Sequence, residues 1–273
     1  MLRKNLERLL IRSMKRIESK PITPFEKELQ NVEPVIRTLT NIALFGKKVI
    51  IKGKENFIKN GPNIIVGNHT GTFKDVATIF KIVPRPIFFT ANKMIFSKDE
   101  FNLLIRKYLQ RHLKNFGLFV ELLLNPLKAR LVNYITENIG KIGTIPVDIY
   151  HKKRLAIEKC QDYVKQGRAI IALQGHGWIN KSHSHPYVSP FRRGPSIISY
   201  NLYRENGLSV PVTPVALFGT HVPFLVPGKI KVSVGKPMYI QDYMGSEFSE
   251  TVSRFSQALE RRVRKLINEL IWA

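Results

Sequence analysis

One cysteine, Cys160, is all the thiol chemistry this 273-residue chain possesses. An internal disulfide is therefore excluded, which suits a reducing compartment. Cys160 falls on the apolar side of a predicted helix and reads as core filler. Long apolar runs are missing too: nothing reaches the ~18 uncharged residues that a membrane span needs. If the chain meets a membrane, it is expected to lie on it. Residues 2–20 carry Arg3, Lys4, Arg8, Arg12, Lys15, Arg16 and Lys20, which break up the apolar stretch of a secretion signal. Acidic residues are scarce, 20 against 44 Lys and Arg, for a net charge of +24. Such a surface attracts polyanions, whether nucleic acid, anionic headgroups or CoA-like substrates. Charge alone does not choose among them, and a solvated basic face accounts for it as well. There is no RNA-recognition, zinc-finger or glycine-loop motif, so nucleic acid is not an expected partner. With 44% hydrophobic residues and no repeats, the chain suits one large α/β domain with at most a small appendage.

Leu2, Leu6, Leu9, Leu10, Met14 and Ile17 recur at helical spacing with basic residues opposite. A basic amphipathic helix reads as a membrane-surface anchor, or equally as a helix docked on the protein's own core. Pro21 and Pro24 break this pattern. A second helix is predicted over 34–44, so that residues 1–46 form a two-helix preface. Strands are predicted at 49–51, 63–67, 87–89, 143–147, 169–173, 210–218 and 229–234. Helices are expected at 76–82, over most of 99–140, and at 153–166, 194–203 and 250–272. This alternation predicts a single mixed, largely parallel sheet flanked by helices.

The run from Ile64 to Asp75 holds the candidate chemistry. A buried strand delivers Asn68 and His69 at its C-terminal end, and Asp75 follows in the first turn of a helix. Sites of open α/β sheets lie at this edge. A histidine can accept a hydroxyl proton near neutral pH, and a carboxylate on its other ring nitrogen fixes the tautomer. The alternative reading is a loop histidine beside an unrelated helix-capping aspartate.

Asn68-His69 followed by Asp75 resembles the Asn-His-x4-Asp signature of the glycerolipid acyltransferase family, the lysophosphatidic acid (1-acylglycerol-3-phosphate) acyltransferases. Further stretches are similar to that family in the same order: Gly53 to Asn56 and Gly61 to Val66, Arg85 to Phe89 with Ala91 to Lys93, Gly143 to Asp148, Pro190 to Gly194, Val210 to Ala216, and Gly235 to Pro237. The resemblance covers roughly residues 48–240. It implies an acyltransferase domain over 47–273. In it an acyl group moves from acyl-CoA or acyl-carrier protein to a hydroxyl of a lysophospholipid, in phospholipid biosynthesis or remodelling. His69 would be the general base and Asp75 the residue that orients it. No cofactor and no metal are implied. The implied partners are an anionic membrane surface, the thioester donor and the lysophospholipid acceptor. The implied location is peripheral, on the cytoplasmic face.

This chain departs from the family pattern at three places. Five residues separate His69 from Asp75 instead of four, which calls for an extra bulge, expected at Gly71. Where the family reads Phe-Pro-Glu-Gly-Thr-Arg, this chain has Ala172-Leu173-Gln174-Gly175-His176-Gly177, without the acid and without the arginine. Ile149 stands where an earlier block has arginine, with Lys152, Lys153 and Arg154 close by. A phosphate wants bidentate arginine, and Arg192 and Arg193 are the first replacements, with Lys74 third. Asn68, Lys74, Gln174, Gly175, His176, Arg192 and Arg193 are thus the expected substrate-binding residues. The altered segment also admits a non-catalytic, lipid-binding member of the same fold. His176, His183 and His185 could in principle hold zinc, but no cysteine or carboxylate lies near them in sequence, and a loop closing over the acceptor is the favoured reading.

Overall fold

The computed structural model describes residues 24–113, 125–141, 143–147, 153–223 and 226–272. The predicted first helix, and Asp148, Ile149 and Lys152, lie outside the described residues. Helix α1 (Pro24–Ala43) leads into strand β1 (Lys47–Lys52), then β2 (Asn63–His69), α2 (Phe73–Ile82) and β3 (Ile87–Asn92). Helices α3 (Lys98–Leu113) and α4 (Asn125–Asn138) follow, then β4 (Ile145–Val147), α5 (Lys153–Lys165) and β5 (Ala169–Gly175). The chain closes with α6 (Gly194–Asn206), β6 (Val212–Phe218), β7 (Gly228–Val234) and α7 (Phe248–Ile271).

The second helix starts ten residues earlier than expected, at Pro24 instead of Pro34. Proline is well tolerated in a first helical turn, where its missing N–H would be unpaired anyway. Pro34 sits inside the helix on its exposed side. There the backbone group its ring leaves unpaired can turn to water, which softens the usual penalty.

The seven strands form one sheet in the order β1-β7-β6-β2-β5-β3-β4. Every pairing is parallel except β6 with β7. The sheet is thus mixed and largely parallel, as the alternation of elements predicted. β2 lies between β6 and β5, and six of its seven residues are buried. A strand covered on both faces reads as an unbroken apolar run. Along it, Ile64 and Val66 join the core under α5, α6 and α7, with Cys160, Val164, Leu202, Phe255 and Leu259. Ile65 faces the other way, into the core with Ala43, Ile79, Ile82 and Leu217. The two-residue side-chain period of a strand therefore divides one hydrophobic sequence between two cores. α7 carries Val252, Phe255, Leu259, Val263, Leu266, Ile267 and Leu270 as its buried stripe. At 0–5% exposure, each of these side chains contributes about 1.5–3 kcal/mol of burial free energy.

The antiparallel pairing of β6 and β7 matters for the site. The loop after β6, residues 219–223, crosses the edge at which β2, β5 and β6 end. The chain then returns through β7, to which β1 pairs from Lys47↔Gly228 onward. The start of β1 is thereby brought to the same edge as His69.

Candidate active site

His69 is the last residue of β2, in register with Gly175 at the end of β5. Its Nδ1 lies 2.8 Å from Oδ2 of Asp75, the acid in the first turn of α2. The same oxygen accepts the backbone N–H of Thr70 at 2.9 Å and of Gly71 at 2.7 Å. Asp75 is fully buried, whereas the His69 side chain keeps 23% of its surface. A carboxylate oxygen only accepts, so Nδ1 carries the ring proton and Nε2 keeps a lone pair. A Cβ placed on Gly177 would sit 3.6 Å from that Nε2, so the free nitrogen faces the segment after β5.

In the loop from His69 to Asp75 the left-handed backbone falls at Thr72, whereas a bulge was expected at Gly71. Thr72 has φ 52° and is the one non-glycine residue with positive φ among those described. Gly71 is required for a different reason. A Cβ there would collide with Thr220, coming within 2.6 Å of its carbonyl oxygen. The absent side chain lets the loop after β6 rest directly on the loop after β2.

Asn68, expected among the substrate-binding residues, is turned into the fold. It is completely buried, its Nδ2 donates to the Leu217 carbonyl at 2.9 Å, and its Oδ1 accepts the Leu217 N–H at 2.8 Å. The β2–β6 backbone pairing ends at Gly67↔Val215, and this amide extends it by one rung. Lys74 is also turned inward. It is 4% exposed and its Nζ donates to the Val222 carbonyl, so its amine is occupied inside the fold behind the dyad. Gln174 is 5% exposed. Its Oε1 accepts the Arg192 N–H at 3.0 Å and its Nε2 donates to the Ala172 carbonyl at 3.3 Å. The amide that replaces the family's acid thus ties the loop 190–194 to the end of β5.

Gly175 has φ 135°, and a Cβ there would come within 2.7 Å of the His69 carbonyl oxygen, so only glycine passes this close. His176 is exposed and stacks on Trp178, with ring centres 5.3 Å apart. Arg192 and Arg193 have exposed side chains immediately before α6. His183 and His185 do not converge on one point. His183 Nε2 meets the Asn180 amide, while His185 Nε2 meets Oδ1 of Asn268 on α7, each at 3.0 Å.

Two residues behind the site carried no signal in the sequence. Lys47, 8% exposed, donates through Nζ to the carbonyls of Pro223, at 3.1 Å, and Val226. His221 is partly buried in the loop after β6. Together with Lys74 they make a cluster of basic groups inside the fold. Burial, reinforced by the Lys47 charge, pushes the Lys74 ammonium down to about 8, against a smaller opposing pull from Asp75. Burial also lowers Lys47, and burial with the two lysine charges lowers His221. Contacts spanning 148–179 residues leave no local pattern to read.

No protein-family profile matches the chain, and no curated protein does. Among solved structures, the chain is similar to the crystal structure of the 1-acyl-sn-glycerophosphate (LPA) acyltransferase PlsC from Thermotoga maritima. The TM-score is 0.52 at 19% identity, over 94% of this chain and 87% of that one. At this identity the likeness shows the fold: a single largely parallel sheet with flanking helices, shared with an acyltransferase.

Proposed function

We propose that the protein transfers a fatty acyl group from a thioester, acyl-CoA or acyl-carrier protein, to a hydroxyl of a lysophospholipid such as 1-acylglycerol-3-phosphate. The observation that carries this reading is the His69–Asp75 pair at the edge of the sheet. Its carboxylate is held by two backbone N–H groups, and its Nε2 is left to accept a proton. Nε2 removes the acceptor hydroxyl proton as the oxygen attacks the thioester carbonyl. The C–S bond breaks, and the departing thiolate takes that proton from the imidazolium. Asp75 stabilises the transient imidazolium and keeps the ring in one tautomer. The chemistry requires neither redox change nor a covalent enzyme intermediate.

The shared fold with an LPA acyltransferase supports this assignment, as do the exposed Arg192 and Arg193 at the start of α6. The partners are an anionic membrane surface, the donor thioester and the lysolipid, with the protein lying peripherally on the cytoplasmic face. No helix among the described residues is long and apolar enough to cross a membrane. Ile42 at the end of α1 and Phe45 in the turn after it are 55% and 71% exposed, side chains suited to a headgroup layer. The test is thiol release from acyl-CoA in the presence of lysolipids, phosphorylated and unphosphorylated. His69→Ala should lower the rate about 10²–10⁴-fold, the usual contribution of a general base. Equal release by wild type and His69→Ala would refute the catalytic reading. Tight liposome binding without transfer would point to a lipid-binding protein instead.

A further inference from the structure

Thr72 occupies the N-cap of α2 in a conformation, φ 52° and ψ −118°, that a β-branched residue seldom adopts. An N-cap threonine ordinarily turns its hydroxyl back to accept an N–H of the first helical turn. Here it makes no such bond. Its Oγ1 points outward and donates to the carbonyl of Gly177 at 2.8 Å. Gly177, with φ 86°, donates its own N–H to the carbonyl of His69 at 3.1 Å. The two bonds close a clasp: from His69 along the chain to Thr72, across to Gly177, and back to His69. The wall it fixes is the one that Nε2 of His69 faces.

We propose that Thr72 is a positioning residue for the acceptor. Its hydroxyl holds the Gly175–Trp178 segment at a set distance in front of His69 Nε2 and so defines the opening through which the alcohol approaches. Strained backbone that persists in a loop beside a reactive group is maintained by its surroundings. In this chain the surroundings are the inserted residue between His69 and Asp75 and a partner carbonyl 105 residues away. The proposal deepens the acyl-transfer reading and rests on it for its kinetic arm. Its second arm does not need turnover.

Three variants separate the hydroxyl from the backbone. Thr72→Val keeps the shape and loses the hydroxyl, Thr72→Ser keeps the hydroxyl, and Thr72→Gly loses the hydroxyl while relieving the positive φ. The first readout is the rate of ethoxyformylation of the His69 ring by diethyl pyrocarbonate, followed by peptide mass. The second is kcat and KM for the lysolipid. Loss of the clasp bond should speed His69 labelling about tenfold in Thr72→Val and Thr72→Gly, the shift in a local opening equilibrium expected from one hydrogen bond. Both should raise the acceptor KM while leaving the KM for the thioester unchanged. Thr72→Ser should restore both readouts to within about threefold of wild type, since it retains the bond. Thr72→Gly should melt no lower than wild type, so a loss of activity in it is not a loss of fold. Wild-type labelling in Thr72→Val overturns the proposal, and so does a failure of Thr72→Ser to restore it. If wild-type protein transfers no acyl group while the labelling pattern holds, the acyl-transfer reading fails and the clasp stands.

Discussion

Replacing Asp75 by asparagine isolates the negative charge from the geometry. Oδ2 of Asp75 accepts three donors, the His69 ring at 2.8 Å and the N–H groups of Thr70 and Gly71. Two of these belong to the backbone and cannot turn away, so they select the oxygen of the introduced amide over its NH2. That oxygen then still faces Nδ1–H, and the tautomer of His69 is preserved. The NH2 takes the place of Oδ1, which is buried and has no hydrogen-bond partner among the described residues. What disappears is the attraction between carboxylate and imidazolium once the proton has been taken up. With charge centres ~4 Å apart and an effective dielectric of ~20, that attraction is about 4 kcal/mol. At 1.36 kcal/mol per decade it corresponds to roughly 10³ in kcat. The assay is steady-state thiol release by Asp75→Asn beside wild type, with Asp75→Ala as the structural control. Alanine leaves both N–H groups buried without an acceptor, at about 1–3 kcal/mol each, so it should lose stability as well as rate. Asparagine should unfold close to wild type. A kcat for Asp75→Asn within about threefold of wild type would refute the charge-stabilisation role, because an imidazolium that forms in the transition state must feel the missing carboxylate.

Gly71→Ala should lower stability by at least ~1–3 kcal/mol, the cost of overpacking, because its Cβ has nowhere to go against the Thr220 backbone. Thermal unfolding measures it, and an unchanged melting temperature would show that the two loops do not touch. Lys74 supplies a pH test. Its folded-state value of about 8 lies below the ordinary 10.5, so the unfolded chain holds the proton more tightly. Stability should therefore rise with pH between about 8 and 10.5, by a contribution on the order of 3 kcal/mol. It should be lost again as pH falls back to 8. Lys74→Met should remove that slope. Urea unfolding of both proteins at pH 7.5 and 10 gives the difference, and parallel curves would mean that the ammonium is well solvated.

Much of the architecture was legible because it depends on short-range periodicity. Apolar runs such as Ile64-Ile65-Val66 and Ala169 to Leu173 become central strands. The stripe of α7 has one face, and the direction changes between strands need helices to cover them. The His69–Asp75 pair was legible for the same reason: both lie within one strand–turn–helix unit, so closing the contact orders only a short loop. The same six-residue step did not reveal that the positive φ falls at Thr72, because Thr220 and Gly177 decide it from other loops.

Residue type alone did not show where Asn68, Lys74 and Gln174 turn, each polar, each beside the dyad, and each expected to meet substrate. In the folded chain all three are buried and satisfy backbone groups of neighbouring segments: Leu217, Val222 and Arg192. Which face a polar side chain takes at a strand end depends on unpaired backbone groups across the sheet, and these exist only once the strands have been ordered. The sequence by itself determined where His69 and Asp75 would meet. Tertiary packing decided what surrounds them: the antiparallel return of β7, the buried lysines and the Gly177 wall. The buried lysines and the Gly177 wall arise from contacts between segments 100 or more residues apart, whose pairing no local spacing encodes, and the direction of β7 is set where it meets β6 and β1 in the sheet.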